Sequence, residues 1–154
     1  MKKPGQGRLR SIFGMELKIS HCFVVVHDVD QALTFYRDTL GLEVRTDVAF
    51  EGLRWVTLSP PTQPDIELVI ELPGSHPHIS PADRQSLESL LAKGLLRGLI
   101  FATDDCDGTF EKIRASGADV LQEPIDQPYG VRDCAFRDPS GNMVRFSQQR
   151  KRAG

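Results

Sequence analysis

The chain has 154 residues, 40% apolar and 26% charged, the balance of one globular domain or of two half-modules sharing a core. No apolar run approaches the roughly 20 residues of a membrane helix, and the longest, Cys22 to Val26, is strand-sized. The net charge of −2 is a split average. Residues 1–14 and 150–154 carry only bases, and 15–149 carry a net −9, which repels phosphate backbones and argues against nucleic acid as a partner.

Cys22, Cys106 and Cys134 lie far apart and form no CxxC pair. This is the pattern of a reduced, intracellular chain without a structural zinc site. Residues 1–14 lack a signal peptide's apolar core, and Pro4, Gly5 and Gly7 break any helix there. They read as a disordered basic extension, and 150–154 as a basic tail. Residues 15–149 read as one domain.

In chain order, 17–26 is β-rich and ends at His27-Asp28. Asp28 or Asp30 can cap a helix that carries Leu33, Tyr36 and Leu40 on one face and stops at Gly41. Strand-like runs follow at 42–46, 54–59 and 65–72. Ser80-Pro81-Ala82-Asp83 opens a second helix over about 80–93, with Leu87, Leu90 and Leu91 on one face. The first pattern then returns: a strand at 99–103, a capped helix at 104–117, and strands at 120–121, 131–137 and 143–148. Asp138-Pro139-Ser140-Gly141-Asn142 is the turn between the last two.

An offset of 77 lays Asp28-Val29-Asp30 on Asp105-Cys106-Asp107, Leu33 on Phe110 and Tyr36 on Ile113. The identities are few, but the matched order of elements favours duplication. The fold expected is α+β: two βαβββ modules forming a curved mixed sheet around a cup. Module one covers about 17–72, a helical insertion 73–97, and module two about 98–148. Strand alternation puts Glu67, Val69 and Glu71 on one face, and Met143, Arg145 and Ser147 on another. Charged residues inside strands point to a polar cavity.

Three stretches carry a family resemblance: Ser20–Asp30 running into Phe35–Leu42, Ile100–Asp105, and Phe136–Asn142. Over about 18–148 the chain resembles the vicinal oxygen chelate superfamily of glyoxalases, bleomycin resistance proteins and extradiol dioxygenases. The likeness speaks for the fold and says little about the reaction.

The superfamily's metalloenzymes draw ligands from the first, fourth, fifth and eighth strands. The resemblance places His21 at the first position and Glu71 or Glu67 at the fourth; parity does not choose between them. The other two positions fall on Gly98, which has no side chain to ligate, and on Arg145, which repels a cation. The cofactor expectation is therefore none, or one divalent metal ion held by His21 and Glu71. Without a metal, His21 can be a general base or a hydrogen-bonded strand residue. Arg145 can pair with a cup glutamate, bind a substrate anion, or lie on an exposed edge. Trp55 and Tyr129 are candidates to line the cavity. His76 and His78 read as loop residues, and the cysteines as small buried hydrophobes.

Two functions follow. In one, the cup binds a small oxygenated molecule and acts as a lyase or isomerase through His21 with Glu67 or Glu71. In the other, it binds or sequesters an antibiotic-type molecule without chemistry. By the same resemblance a small-molecule ligand and a second copy in a cytoplasmic homodimer are the partners expected; charge and hydropathy speak against nucleic acid and membrane.

Overall fold

The computed structural model describes residues 14–151. The expected basic ends therefore lie, except for Gly14, Arg150 and Lys151, outside the described residues. Module one runs β1 (His21–Val25), α1 (Val29–Leu33, continuing as a π-helical Thr34–Thr39), β2 (Glu43–Phe50), β3 (Leu53–Ser59) and β4 (Glu67–Glu71). After α2 (Pro81–Ala92), module two repeats the plan with β5 (Leu99–Ala102), α3 (Cys106–Ala115), β6 (Asp119–Asp126), β7 (Val131–Arg137) and β8 (Met143–Gln149). The sheets have identical orders, β1-β4-β3-β2 and β5-β8-β7-β6, so the repeat is a repeat of topology. In each, the first and fourth strands pair in parallel and the remaining neighbours antiparallel.

Each helix is capped near its expected start, the first by Asp28 and not Asp30. Asp28 accepts from the Gln31 N–H, Asp105 from Gly108 and Ser80 from Asp83. Three element boundaries differ from expectation. Leu17 and Ile19 precede β1 and are exposed, because pairing with β4 begins only at His21 opposite Glu67. β6 runs on to Asp126 despite Pro124: it is an edge strand, and its register breaks between Gln122 and Ile125, so the missing N–H costs no ladder bond. The first helix widens into a π-turn, with Leu40 N–H bonding Phe35 O and Leu42 N–H bonding Tyr36 O. That turn buries the adjacent Phe35 and Tyr36 together, which a regular helical face does not do.

Alternation sorts each sheet. Val24, Val56, Leu58, Leu68 and Ile70 face α1, while Cys134, Phe136, Val144 and Phe146 face α3, and all belong to one core shared by both modules. The opposite, concave faces carry Phe23, Val48 and Trp55 in module one and Ile100 and Ile125 in module two, all exposed. The modules also meet on the core side through polar contacts. Tyr36 donates to Asp138 Oδ2 at 2.8 Å, His27 N–H donates to Ser140 Oγ at 3.0 Å, and Asn142 Nδ2 donates to Val25 O at 2.7 Å. α2 rests its C-terminal end on the same turn. Leu91 is buried, and a Cβ on Gly94 (φ +68°) would stand 2.5 Å from Arg137 Nη1.

Candidate functional site

The two concave faces each hold one polar cluster set among apolar side chains. In module one the register brings His21 beside Glu67, with Nε2 3.2 Å from Oε2. Thr57 donates to Glu67 Oε1 at 2.8 Å, and Ser20 Oγ lies 2.8 Å from His21 Nδ1. Nε2 faces a carboxylate and so carries a proton, and Nδ1 shares a hydrogen bond with the serine hydroxyl. Glu71 lies elsewhere: it sits opposite Val25, four residues along β4, or about 13 Å from the His21 row at ~3.3 Å per residue. The structure thus brings His21 together with Glu67 and not with Glu71. Glu71 instead joins Trp55, Val48, Phe50, Leu53 and Ser75 around a cavity of about 320 Å³. A larger cavity, about 810 Å³, lies against α2 and has Leu53 and Ser75 in its wall as well.

In module two, Arg145 stands opposite Ile100, the counterpart of Phe23 opposite Val69. It is thus one concave-facing row away from the position equivalent to His21 and Glu67, which Gly98 and Met143 occupy. Its Nη1 donates to Gln122 Oε1 at 2.9 Å and lies 3.3 Å from Asp133 Oδ2. Asp133 Oδ1 also accepts from Gln122 Nε2 at 2.7 Å and from Gln127 Nε2 at 3.0 Å. Burial pushes the Asp133 carboxyl up, but the amides of Gln127 and Gln122 and the Arg145 charge together outweigh it and hold the group below the usual carboxylate value. Arg145 is therefore neither an edge residue nor the partner of a module-one glutamate. Sequence reading missed Asp133, Gln122 and Gln127. Parity within 131–137 places Asp133 on a face, but only the β7–β8 pairing shows that it is the face of Arg145. Tyr129 lies 70% exposed in the β6–β7 turn, two residues beyond Gln127.

Two of the motif stretches behind the resemblance, Ser20–Leu42 and Phe136–Asn142, are joined in one internal network. Asp138 Oδ1 accepts from the Ser140 and Asn142 N–H groups, and Oδ2 from Tyr36 and from Asn142 Nδ2. Burial, then the Asp138 charge and hydrogen bond, raise the Tyr36 phenol above the ordinary tyrosine value. These residues build the scaffold; the concave clusters lie on the far side of the sheets.

The family profile of the Glyoxalase/Bleomycin resistance protein/Dioxygenase superfamily matches residues 18–146. The chain belongs to this superfamily. Among its relatives, the uncharacterized protein YurT of Bacillus subtilis (strain 168) is 30% identical over 134 residues, covering 86% of this chain and 100% of that one. The crystal structure of UcmS2 superposes with a TM-score of 0.80 at 32% identity, covering 86% of this chain and 98% of that one. TnmS3, an antibiotic binding protein from Streptomyces sp. CB03234, superposes with a TM-score of 0.69 at 28% identity, covering 88% and 99%.

A divalent ion, such as the superfamily's metalloenzymes hold, does not fit the donors this chain presents. Among the described residues, no group of three or more His, Cys, Asp and Glu side chains could hold one. His21 and Glu67 are two donors, and one oxygen of Glu67 already accepts from Thr57. Gly98 leaves no room for a replacement: a Cβ there would lie 1.6 Å from Met143 O. The nearest basic group on the second concave face, Arg145, is a cation.

Proposed function

We propose that the protein is a small-molecule-binding member of its superfamily, holding an oxygenated and largely apolar ligand on its concave faces without a resident metal. The observation that carries the reading is the make-up of those faces: exposed Phe23, Val48, Trp55, Ile100 and Ile125 surround a few fixed polar groups. Apolar walls supply binding energy, and sparse polar groups fix orientation. TnmS3 adds support, as a structural neighbour described as an antibiotic binding protein. Apolar patches of this kind are also what a second copy covers, so the ligand-bound form is a homodimer in which concave faces meet. The location is cytoplasmic, which suits three free thiols of which Cys106 and Cys134 are buried.

The chain's only tryptophan is Trp55, 46% exposed beside Glu71, so its emission reports on this surface without labelling. Titration with a panel of aromatic antibiotics is expected to give saturable quenching by at least one compound, weakened at least about tenfold in Phe23→Ala, the loss of one well-packed aromatic contact. Sedimentation is expected to give a dimer. A folded protein that binds nothing in the panel and stays monomeric refutes the reading. A second reading, a lyase or isomerase that moves a proton, rests on the 3.2 Å His21–Glu67 contact. Turnover of an oxygenated substrate, abolished in both His21→Ala and Glu67→Gln, would favour it.

A further inference from the structure

Three arginines of this chain pair the side edge of the guanidinium with an aspartate, whereas Arg137 and Arg145 meet oxygen through Nη1. In a guanidinium, Nε–H and one Nη2–H point the same way and match the two oxygens of a carboxylate. Arg37 presents that edge to both oxygens of Asp38 (2.8 and 3.2 Å) and Arg54 to both of Asp47 (2.9 and 2.9 Å), while Nε and Nη2 of Arg132 converge on the single oxygen Oδ1 of Asp107 (3.0 and 2.9 Å). All three pairs are on the exposed surface. Arg145 is more buried than those three, with 21% of its side chain exposed, and it does the opposite. Only Nη1 meets oxygen, from Gln122 and Asp133. Nη2 has Met143 Sδ at 3.6 Å, and Nε has no acceptor among the described residues.

The arrangement is rigid. Asp133, with 2% of its side chain exposed, is fixed by Gln122 and Gln127, and Gln122 bonds both Asp133 and Arg145. Turning the guanidinium to satisfy its side edge would break the Nη1 contacts and leave the buried Asp133 without its countercharge, so the edge stays where it is. The two glutamines spread the Asp133 charge, which weakens its repulsion of a second anion. A half-buried donor pair without an oxygen partner favours any ligand that supplies two coplanar oxygens.

We propose that the Nε/Nη2 edge of Arg145 is the receiving site for a carboxylate carried by the ligand. This rests on the proposed function for its setting and deepens it by naming the ligand class: an apolar, ring-bearing carboxylic acid whose ring lies toward Ile100, the residue opposite Arg145 on β5. Gln122, Gln127 and Asp133 are positioning residues that hold the guanidinium from behind.

The test uses the full-length, nitrogen-15-labelled protein. The Arg145 Nε–H resonance is identified by its loss in Arg145→Lys or, where that variant does not fold, by its displacement in Gln122→Ala. Two probes of the same shape, benzoate and the neutral benzamide, are titrated at constant ionic strength. The expected result is a saturating downfield shift of that resonance with benzoate, at a concentration at least about tenfold below any effect of benzamide, the usual margin of a charge-assisted pair. An unmoved resonance, or equal shifts with both probes, overturns the proposal. The Trp55 indole N–H in the same spectra separates the two readings. If it moves while Arg145 does not, the concave face binds but the carboxylate site fails; if Arg145 shifts with benzoate alone, the site stands whatever the antibiotic panel shows.

Discussion

Tyr36→Phe removes one oxygen from the contact between the two modules and changes little else. The phenol is fully buried and donates at 2.8 Å to Asp138 Oδ2, whose only other donor among the described residues is Asn142 Nδ2 at 3.0 Å. The ring shape is kept, so no cavity term enters. The loss is that of a buried hydrogen bond to a charged acceptor, about 2 kcal/mol. For a chain of this size that lowers the thermal midpoint by about 4–8 °C. Chemical denaturation followed by Trp55 emission measures it. Asn142→Ala is expected to couple with it by at least about 0.5 kcal/mol, because both donors serve the same oxygen. Alkaline pH gives an independent sign. The folded-state phenol is raised, so its contribution is complete below the unfolded value near pH 10 and is lost as pH climbs beyond it; Tyr36→Phe is expected to flatten that decline. A loss under about 0.5 kcal/mol, with additive double-mutant behaviour, would refute the view that this network joins the modules.

Three further outcomes follow from the second module. Gly98→Ala puts a methyl 1.6 Å from Met143 O, so β5 or β8 must shift; a destabilisation of about 1–3 kcal/mol is expected in denaturant titration. Gly98→His is expected to be at least as disruptive and to add no zinc in metal analysis of the purified protein. Asp133 is held below its usual value, so its contribution is present above about pH 4 and lost as pH falls through the lowered folded value. Asp133→Asn is expected to be less stable at pH 7 and to lose less stability between pH 5 and pH 2, as measured by thermal melts across that range.

Much of what depends on near neighbours was legible, though the start of β1, the length of β6 and the π-turn of the first helix were not. Caps at Asp28, Ser80 and Asp105, the module repeat and the identity of the concave faces depend on residues a few positions apart, where hydrogen-bonding reach and strand alternation act directly. The superfamily followed from Tyr36 and the Asp138–Asn142 turn, and the structure supplies the physical reason: these distant stretches bond to each other. Alternation fixes a side chain's face but not its row. Glu67 and Glu71 have the same parity, and only the pairing of β1 with β4, separated by more than forty residues of chain, decides that Glu67 meets His21 while Glu71 meets the Trp55 cavity. The setting of Arg145 was hidden for the same reason. Its charge is in the sequence, but the carboxylate and amides that aim it come from β6, β7 and the turn after β6, and the edge left open is set by where those groups stand. Chain-local patterns carried the fold; long-range register, which no local pattern encodes, placed the chemistry.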